Sequence, residues 1–132
     1  MNKSLPTIKG RKIRLAIVGC GRISKSHFNS IEKNHHNIEL ISICDTQTEV
    51  LKKHEIKYKV KGYVDLNDML KNEDLDLVAL CTPSGIHAAQ TEICAKHNIN
   101  IMTEKPMATR WQDGLRMVKV CDEERVKLFV IK

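Results

Sequence analysis

Chemistry is most legible in the run Gly19-Cys20-Gly21-Arg22-Ile23-Ser24. It follows the pattern G-x-G-x-x-G, with Ser24 at the third glycine position. Gly19 permits a tight turn out of a strand, and Gly21 removes the Cβ that would block a pyrophosphate. The third position needs only a small side chain for close helix–strand packing, a need that serine meets. A helix beginning here would turn free N–H groups and the positive end of its dipole toward phosphates. Asp45 lies 24 residues beyond Gly21, at the end of the next apolar run. A carboxylate there can accept both hydroxyls of an adenosine ribose and would repel a 2′-phosphate. The residues after it, Thr46-Gln47-Thr48, supply no compensating cation. The pattern therefore points to NAD rather than NADP. Asp45 could also cap a helix, and the two roles are compatible.

Two later stretches carry polar side chains just beyond apolar runs. Thr82-Pro83-Ser84-Gly85-Ile86-His87 follows Val78–Cys81, and Glu104-Lys105-Pro106 follows Ile101–Thr103. Taken singly, the first could be turn chemistry and the second a solvated lysine. Their shared position, past the carboxyl ends of strands, is where α/β sheets bind ligands.

The elements that must hold these residues alternate along the chain. Near-continuous apolar runs at Ile13–Val18, Glu39–Cys44, Leu75–Cys81, Asn100–Thr103 and Lys127–Ile131 read as parallel strands covered on both faces, with a weaker strand near Tyr58–Lys61. Helical patterns lie between them. Ile23–Lys33 places Ile23, His27, Phe28 and Ile31 on one face, and Glu49–His54 is a shorter piece. Leu66–Lys71 follows a candidate N-cap, Asp65, and His87–His97 and Trp111–Glu124 complete the set. In the last, Leu115, Val118 and Cys121 fall at helical spacing and are expected to face inward. Strand–helix alternation predicts an α/β fold, a doubly wound parallel sheet of Rossmann type with strand order 3-2-1-4-5-6.

Composition narrows the function classes. The chain has 132 residues, 42% hydrophobic and 29% charged, with no run of 18 apolar residues to span a membrane. Of the net charge of +6, Lys3, Lys9, Arg11, Lys12 and Arg14 contribute +5 within residues 1–14. A flexible basic leader over residues 1–12, followed by one dinucleotide-binding domain over 13–132, fits that distribution better than a nucleic-acid surface. Cys20, Cys44, Cys81, Cys94 and Cys121 form no CxxC pair and no zinc spacing, and the six histidines make no HExxH pattern. No metal site is expected, and a reduced, cytoplasmic setting is. Neither Tyr58 nor Tyr63 has a lysine four residues on, which disfavours a short-chain dehydrogenase.

In this order, the Gly-x-Gly turn, the acid after strand two, the Thr-Pro loop with its histidine and the Glu-Lys-Pro element resemble the glucose–fructose oxidoreductase/inositol dehydrogenase family (Gfo/Idh/MocA). The resemblance runs over about residues 13–131. It implies that Gly19, Gly21, Arg22 and Ile23 lie along the cofactor pyrophosphate and that Asp45 binds the adenosine ribose. Thr82, Pro83, Ser84 and His87 would line the middle of the dinucleotide, and Glu104 and Lys105 would sit beside the nicotinamide and substrate. Lys105 matches the family lysine that orients substrate and assists proton transfer. Ser84 departs from the asparagine of many relatives. Thr82–His87 and Lys127–Lys132 look most like members that oxidise C3 of UDP-N-acetylglucosaminuronate for surface polysaccharide. The resemblance also implies a second, substrate-binding and oligomer-forming domain that supplies further catalytic residues, commonly an Asp and a His. This chain is then expected to bind NAD without turning over substrate, and the complete protein to be a homo-oligomer. The competing reading is a free-standing NAD-binding regulatory module.

Overall fold

In a strand, successive side chains point to opposite faces. The first strand, β1 (Ile13–Val18), thereby sends Leu15 and Ile17 to one side of the sheet and Ala16 and Val18 to the other. Both sides are apolar because both are covered. The computed structural model describes residues 7–132. Along them β1 is followed by α1 (Ser24–Lys33), β2 (Ile38–Cys44), α2 (Thr48–Tyr58), β3 (Lys61–Tyr63), α3 (Leu66–Asn72) and β4 (Leu77–Leu80). A 3-10 turn (Ser84–Ile86) then leads into α4 (His87–Lys96), β5 (Asn100–Thr103), α5 (Trp111–Glu123) and β6 (Leu128–Val130).

All strand pairs are parallel and the order is β3-β2-β1-β4-β5-β6, as the alternation of elements predicts. Leu15 and Ile17 pack with Phe28 of α1 and Leu51 of α2. Ala16 and Val18 belong to a larger core with Leu66, Met69 and Leu70 of α3, Cys94 and Ala95 of α4, and Val120 and Cys121 of α5. The strand order reverses between β1 and β4, so the chain leaves those two neighbours toward opposite faces and a crevice opens between them. Among the described residues no helix is long and apolar enough to cross a membrane.

Two expectations are corrected. The third strand lies at Lys61–Tyr63 rather than Tyr58–Lys61, because Tyr58 ends α2 and stacks on Phe28 at 4.0 Å between ring centroids. On α5, the buried residues are Met117, Val120 and Cys121, whereas Leu115 and Val118 are 52% and 56% exposed. The helix carries two overlapping apolar stripes, and period alone does not choose between them. Packing against α4 does so, with Arg116 bonded to Glu92 beside the contact.

The amino edge of the sheet is stitched by polar groups. The Asp76 carboxylate, just before β4, accepts hydrogen bonds from both Arg11 and Arg14 side chains and from the Arg14 backbone N–H. Arg14 also pairs with Asp74. The Asp76 carbonyl accepts from the backbone and side chain of Asn100, whose Oδ1 accepts from Lys127 N–H. Of the expected leader, residues 1–6 lie outside the described residues.

The Arg11 hydrogen bond, with that of Arg14, holds the Asp76 carboxyl well below the usual carboxylate range. A lowered folded pKa stabilises the fold above the unfolded value and loses that contribution as pH falls toward the folded one. Asp76→Asn should therefore destabilise by about 1–3 kcal/mol near neutral pH, a difference that shrinks as pH drops below about 3.9. Urea unfolding across pH checks this. Ile17→Ala, at a fully buried position between sheet and α1, should cost about 2–5 kcal/mol in the same assay.

Candidate functional site: the crevice between the first and fourth strands

The turn leaving β1 is held on both sides. Gly19 N–H bonds to the Cys44 carbonyl at the end of β2, and Cys81 N–H bonds to the Val18 carbonyl. Gly19 has φ +91°, and a Cβ there would meet the carbonyl carbon and oxygen of Cys81 at 2.8 Å. Only glycine satisfies both conditions. Gly21 is different: an added Cβ would meet no protein atom within 4 Å. Nothing in the fold itself demands glycine at that exposed position, whereas a phosphate group lying against the turn would.

Ser24 is buried, and its hydroxyl donates to the Gly21 carbonyl at 2.6 Å. It therefore fills the third glycine position and closes the turn at once. No side chain caps the start of α1. Among the described residues no acceptor meets the backbone N–H groups of Gly21, Arg22 or Ile23. Three free donors at a helix start, in a place with room for a ligand, suit a pyrophosphate. Arg22 and Ile23 themselves are exposed.

Asp45 follows β2 and uses both carboxylate oxygens within the protein. Oδ2 accepts from Cys20 N–H and Oδ1 from Gln47 N–H, each at 2.8 Å. It thus braces the glycine turn and forms an Asx turn two residues on, while α2 takes Gln47 as its N-cap. An ionised carboxylate offers about four acceptor sites, so about two remain for ribose hydroxyls.

On the β4 side, Thr82 donates its hydroxyl to Gln90 Oε1 at 2.5 Å, and Pro83 and Ser84 enter the 3-10 turn. His87 is fully buried. Its Nε2 lies 2.8 Å from the Thr82 carbonyl and its Nδ1 3.1 Å from that of Met107. Both ring nitrogens face backbone carbonyls, so the imidazole joins two loops rather than presenting a free nitrogen. Past β5, Glu104 is buried, its N–H bonded to the Leu80 carbonyl, and Lys105 is exposed ahead of a cis bond to Pro106. The Glu104 carboxylate meets His27 of α1. The helical spacing of α1 puts His27 on the same face as Phe28 and Ile31 without giving it a task. A polar residue on that stripe was itself a signal, since buried polar groups need partners.

The five cysteines are buried and unpaired. Burial pushes the thiols of Cys20, Cys44, Cys81 and Cys94 up to about 12, far from nucleophilic readiness. Among the described residues no group of three or more His, Cys, Asp or Glu side chains could hold a metal ion.

Comparison with known proteins agrees with this fold. The WlbA dehydrogenase of Chromobacterium violaceum, solved with NADH and UDP-GlcNAcA, is 47% identical with a TM-score of 0.94, covering 96% of this chain and 37% of that one. The WlbA dehydrogenase of Bordetella pertussis, in complex with the same two molecules, is also 47% identical with a TM-score of 0.90, covering 92% and 37%. The 4-carboxy-2-hydroxymuconate-6-semialdehyde dehydrogenase of a Sphingobium strain is 31% identical over 84% of this chain and 35% of its own length. The chain thus spans about a third of the length of these relatives. A family model described as "Oxidoreductase family, NAD-binding Rossmann fold" matches residues 13–132. With its strand-order reversal between β1 and β4, its glycine turn and the acid at the end of β2, the chain belongs to the Gfo/Idh/MocA oxidoreductase family, as its NAD-binding Rossmann domain.

Proposed function

We propose that this chain supplies the NAD-binding half of a nucleotide-sugar dehydrogenase that oxidises a ring hydroxyl, with C3 of UDP-N-acetylglucosaminuronate as the substrate position. The observation that carries the cofactor part is the free space and free N–H donors at Gly21. The substrate part is supported by 47% identity, over nearly the whole chain, to two dehydrogenases solved with NADH and UDP-GlcNAcA.

NAD, when bound, supplies the hydride acceptor. The residues of this chain then bind and orient. The N–H groups of Gly21, Arg22 and Ile23 receive the pyrophosphate, and the spare lone pairs of Asp45 receive the adenosine ribose. Thr82, Pro83, Ser84 and the His87-braced loop line the middle of the dinucleotide. Glu104 and Lys105 stand at the substrate end. Oxidising an alcohol removes a hydride from carbon and a proton from oxygen. The Lys105 ammonium, placed beside that oxygen, stabilises its developing negative charge while the proton passes to a base supplied by the second domain. Substrate itself is held by a second domain, so the 132-residue chain binds cofactor without turnover. The complete protein is a cytoplasmic homo-oligomer in this reading.

Calorimetric titration of the chain with NADH and NADPH tests the cofactor assignment. Wild type should favour NADH, and Asp45→Ala should lose tenfold or more in NADH affinity; preference for NADPH would overturn it. The two glycines should separate cleanly. Gly19→Ala should destabilise the fold through its clash with Cys81, while Gly21→Ala should melt like wild type but bind NADH at least tenfold more weakly. For substrate, the protein bearing both domains should reduce NAD when given UDP-N-acetylglucosaminuronate and not myo-inositol. The opposite preference would refute the nucleotide-sugar assignment.

A further inference from the structure

His27 lies one turn into α1, beside Phe28, yet the two side chains part company. Phe28 enters the core against Tyr58, whereas His27 turns to Glu104, with Nε2 2.5 Å from Oε1. The side chains are 11% and 10% exposed, and 77 positions separate them in sequence. Helix α1 follows β1, and Glu104 closes β5, two strands away across β4. The contact therefore joins the two halves of the sheet at the point where strand order reverses.

Burying a carboxylate is costly unless a donor meets it. Among the described residues the His27 imidazole is the hydrogen-bond partner of the Glu104 carboxylate. Glu104 is fixed a second time through its backbone, whose N–H reaches the Leu80 carbonyl at 3.0 Å. The chain leaving β5 is thus tied to β4 by its backbone and to the phosphate-binding helix by its side chain, immediately before Lys105. Asp45 puts the adenosine half of a dinucleotide on the β2 side, and the pyrophosphate belongs at the start of α1. The nicotinamide half then extends over β4 and β5, where Glu104 sits.

We propose that His27 is a positioning residue for the nicotinamide end of the cofactor, holding Glu104, and with it the start of the Lys105 loop, in place before the ring enters. The proposal rests on the NAD reading above. It assigns α1 two tasks: its first turn receives phosphate, and its second turn sets the far side of the same crevice. Such support from behind a binding group is what fixes side chains within the tolerances that function requires.

The test compares NADH with ADP-ribose, which keeps the adenosine and pyrophosphate but lacks the nicotinamide. Both are titrated calorimetrically into the 132-residue chain as wild type, His27→Leu, His27→Gln and Glu104→Gln, with circular dichroism confirming that each is folded. Wild type should bind NADH more tightly than ADP-ribose. His27→Leu should weaken NADH about tenfold, the scale of one hydrogen bond to a charged group, and leave ADP-ribose within about twofold. His27→Gln, which keeps a donor, should recover most of the NADH affinity. Should His27→Leu not fold, Glu104→Gln carries the same discrimination by weakening the pair from its other side. Equal loss of both ligands, loss of neither, or no rescue by glutamine would overturn the proposal and leave His27 a packing residue. Wild type binding neither ligand would sink the NAD assignment itself, an outcome distinct from failure of the positioning role.

Discussion

The carboxyl edge of the sheet is organised by the closeness of the turn at Gly19 to the backbone of Cys81. With Gly19 N–H on Cys44 and Cys81 N–H on Val18, the ends of β2, β1 and β4 are drawn together at one point. A Cβ at residue 19 would lie 2.8 Å from the Cys81 carbonyl, so the approach exists only because that atom is missing. From this point the chain after β1 moves to the face covered by α1, and the chain after β4 moves to the face covered by α4. The crevice is what remains between two backbones that start in contact and diverge.

The two ends of the sheet treat polar groups in opposite ways. At the amino edge Asp76 and Asn100 accept or donate at nearly every polar atom they offer, linking β1, β4, β5 and the approach to β6. At the carboxyl edge three successive backbone N–H groups meet no acceptor among the described residues, and Lys105 stands exposed. Saturated hydrogen bonding holds a fold together, whereas unsaturated donors in an accessible crevice are available to a ligand. Asp45 belongs to both regimes, since each carboxylate oxygen accepts one backbone N–H and has acceptor capacity left over.

The strand order was legible in the sequence because strand-length apolar runs alternate with amphipathic stretches, and the glycine turn after β1 and the acid at the end of β2 are visible from residue type and spacing alone. What was not legible depended on partners far along the chain. His27 and Glu104 are 77 positions apart, and the partners of His87 are carbonyls, which no residue type betrays. The inward face of α5 is ambiguous in the sequence for a related reason. Trp111, Leu115 and Val118 form one apolar stripe and Met117, Val120 and Cys121 another, and only contact with α4 and the sheet decides which is buried. The position of Asp45 suggests a ribose ligand or a cap, whereas its bond to Cys20 N–H has no local signature because the turn it braces lies 25 residues back.

The distribution of thiols has a practical corollary. Cys20 and Cys81 sit in the core under α1 and α2, and Cys44, Cys94 and Cys121 in the core on the opposite side, every one buried and unpaired. An alkylating reagent reaches such sulfurs only when the surrounding layer opens. The protein thus carries native reporters in both layers. The rates at which individual thiols are labelled would reveal whether the two faces of the sheet open together or one at a time.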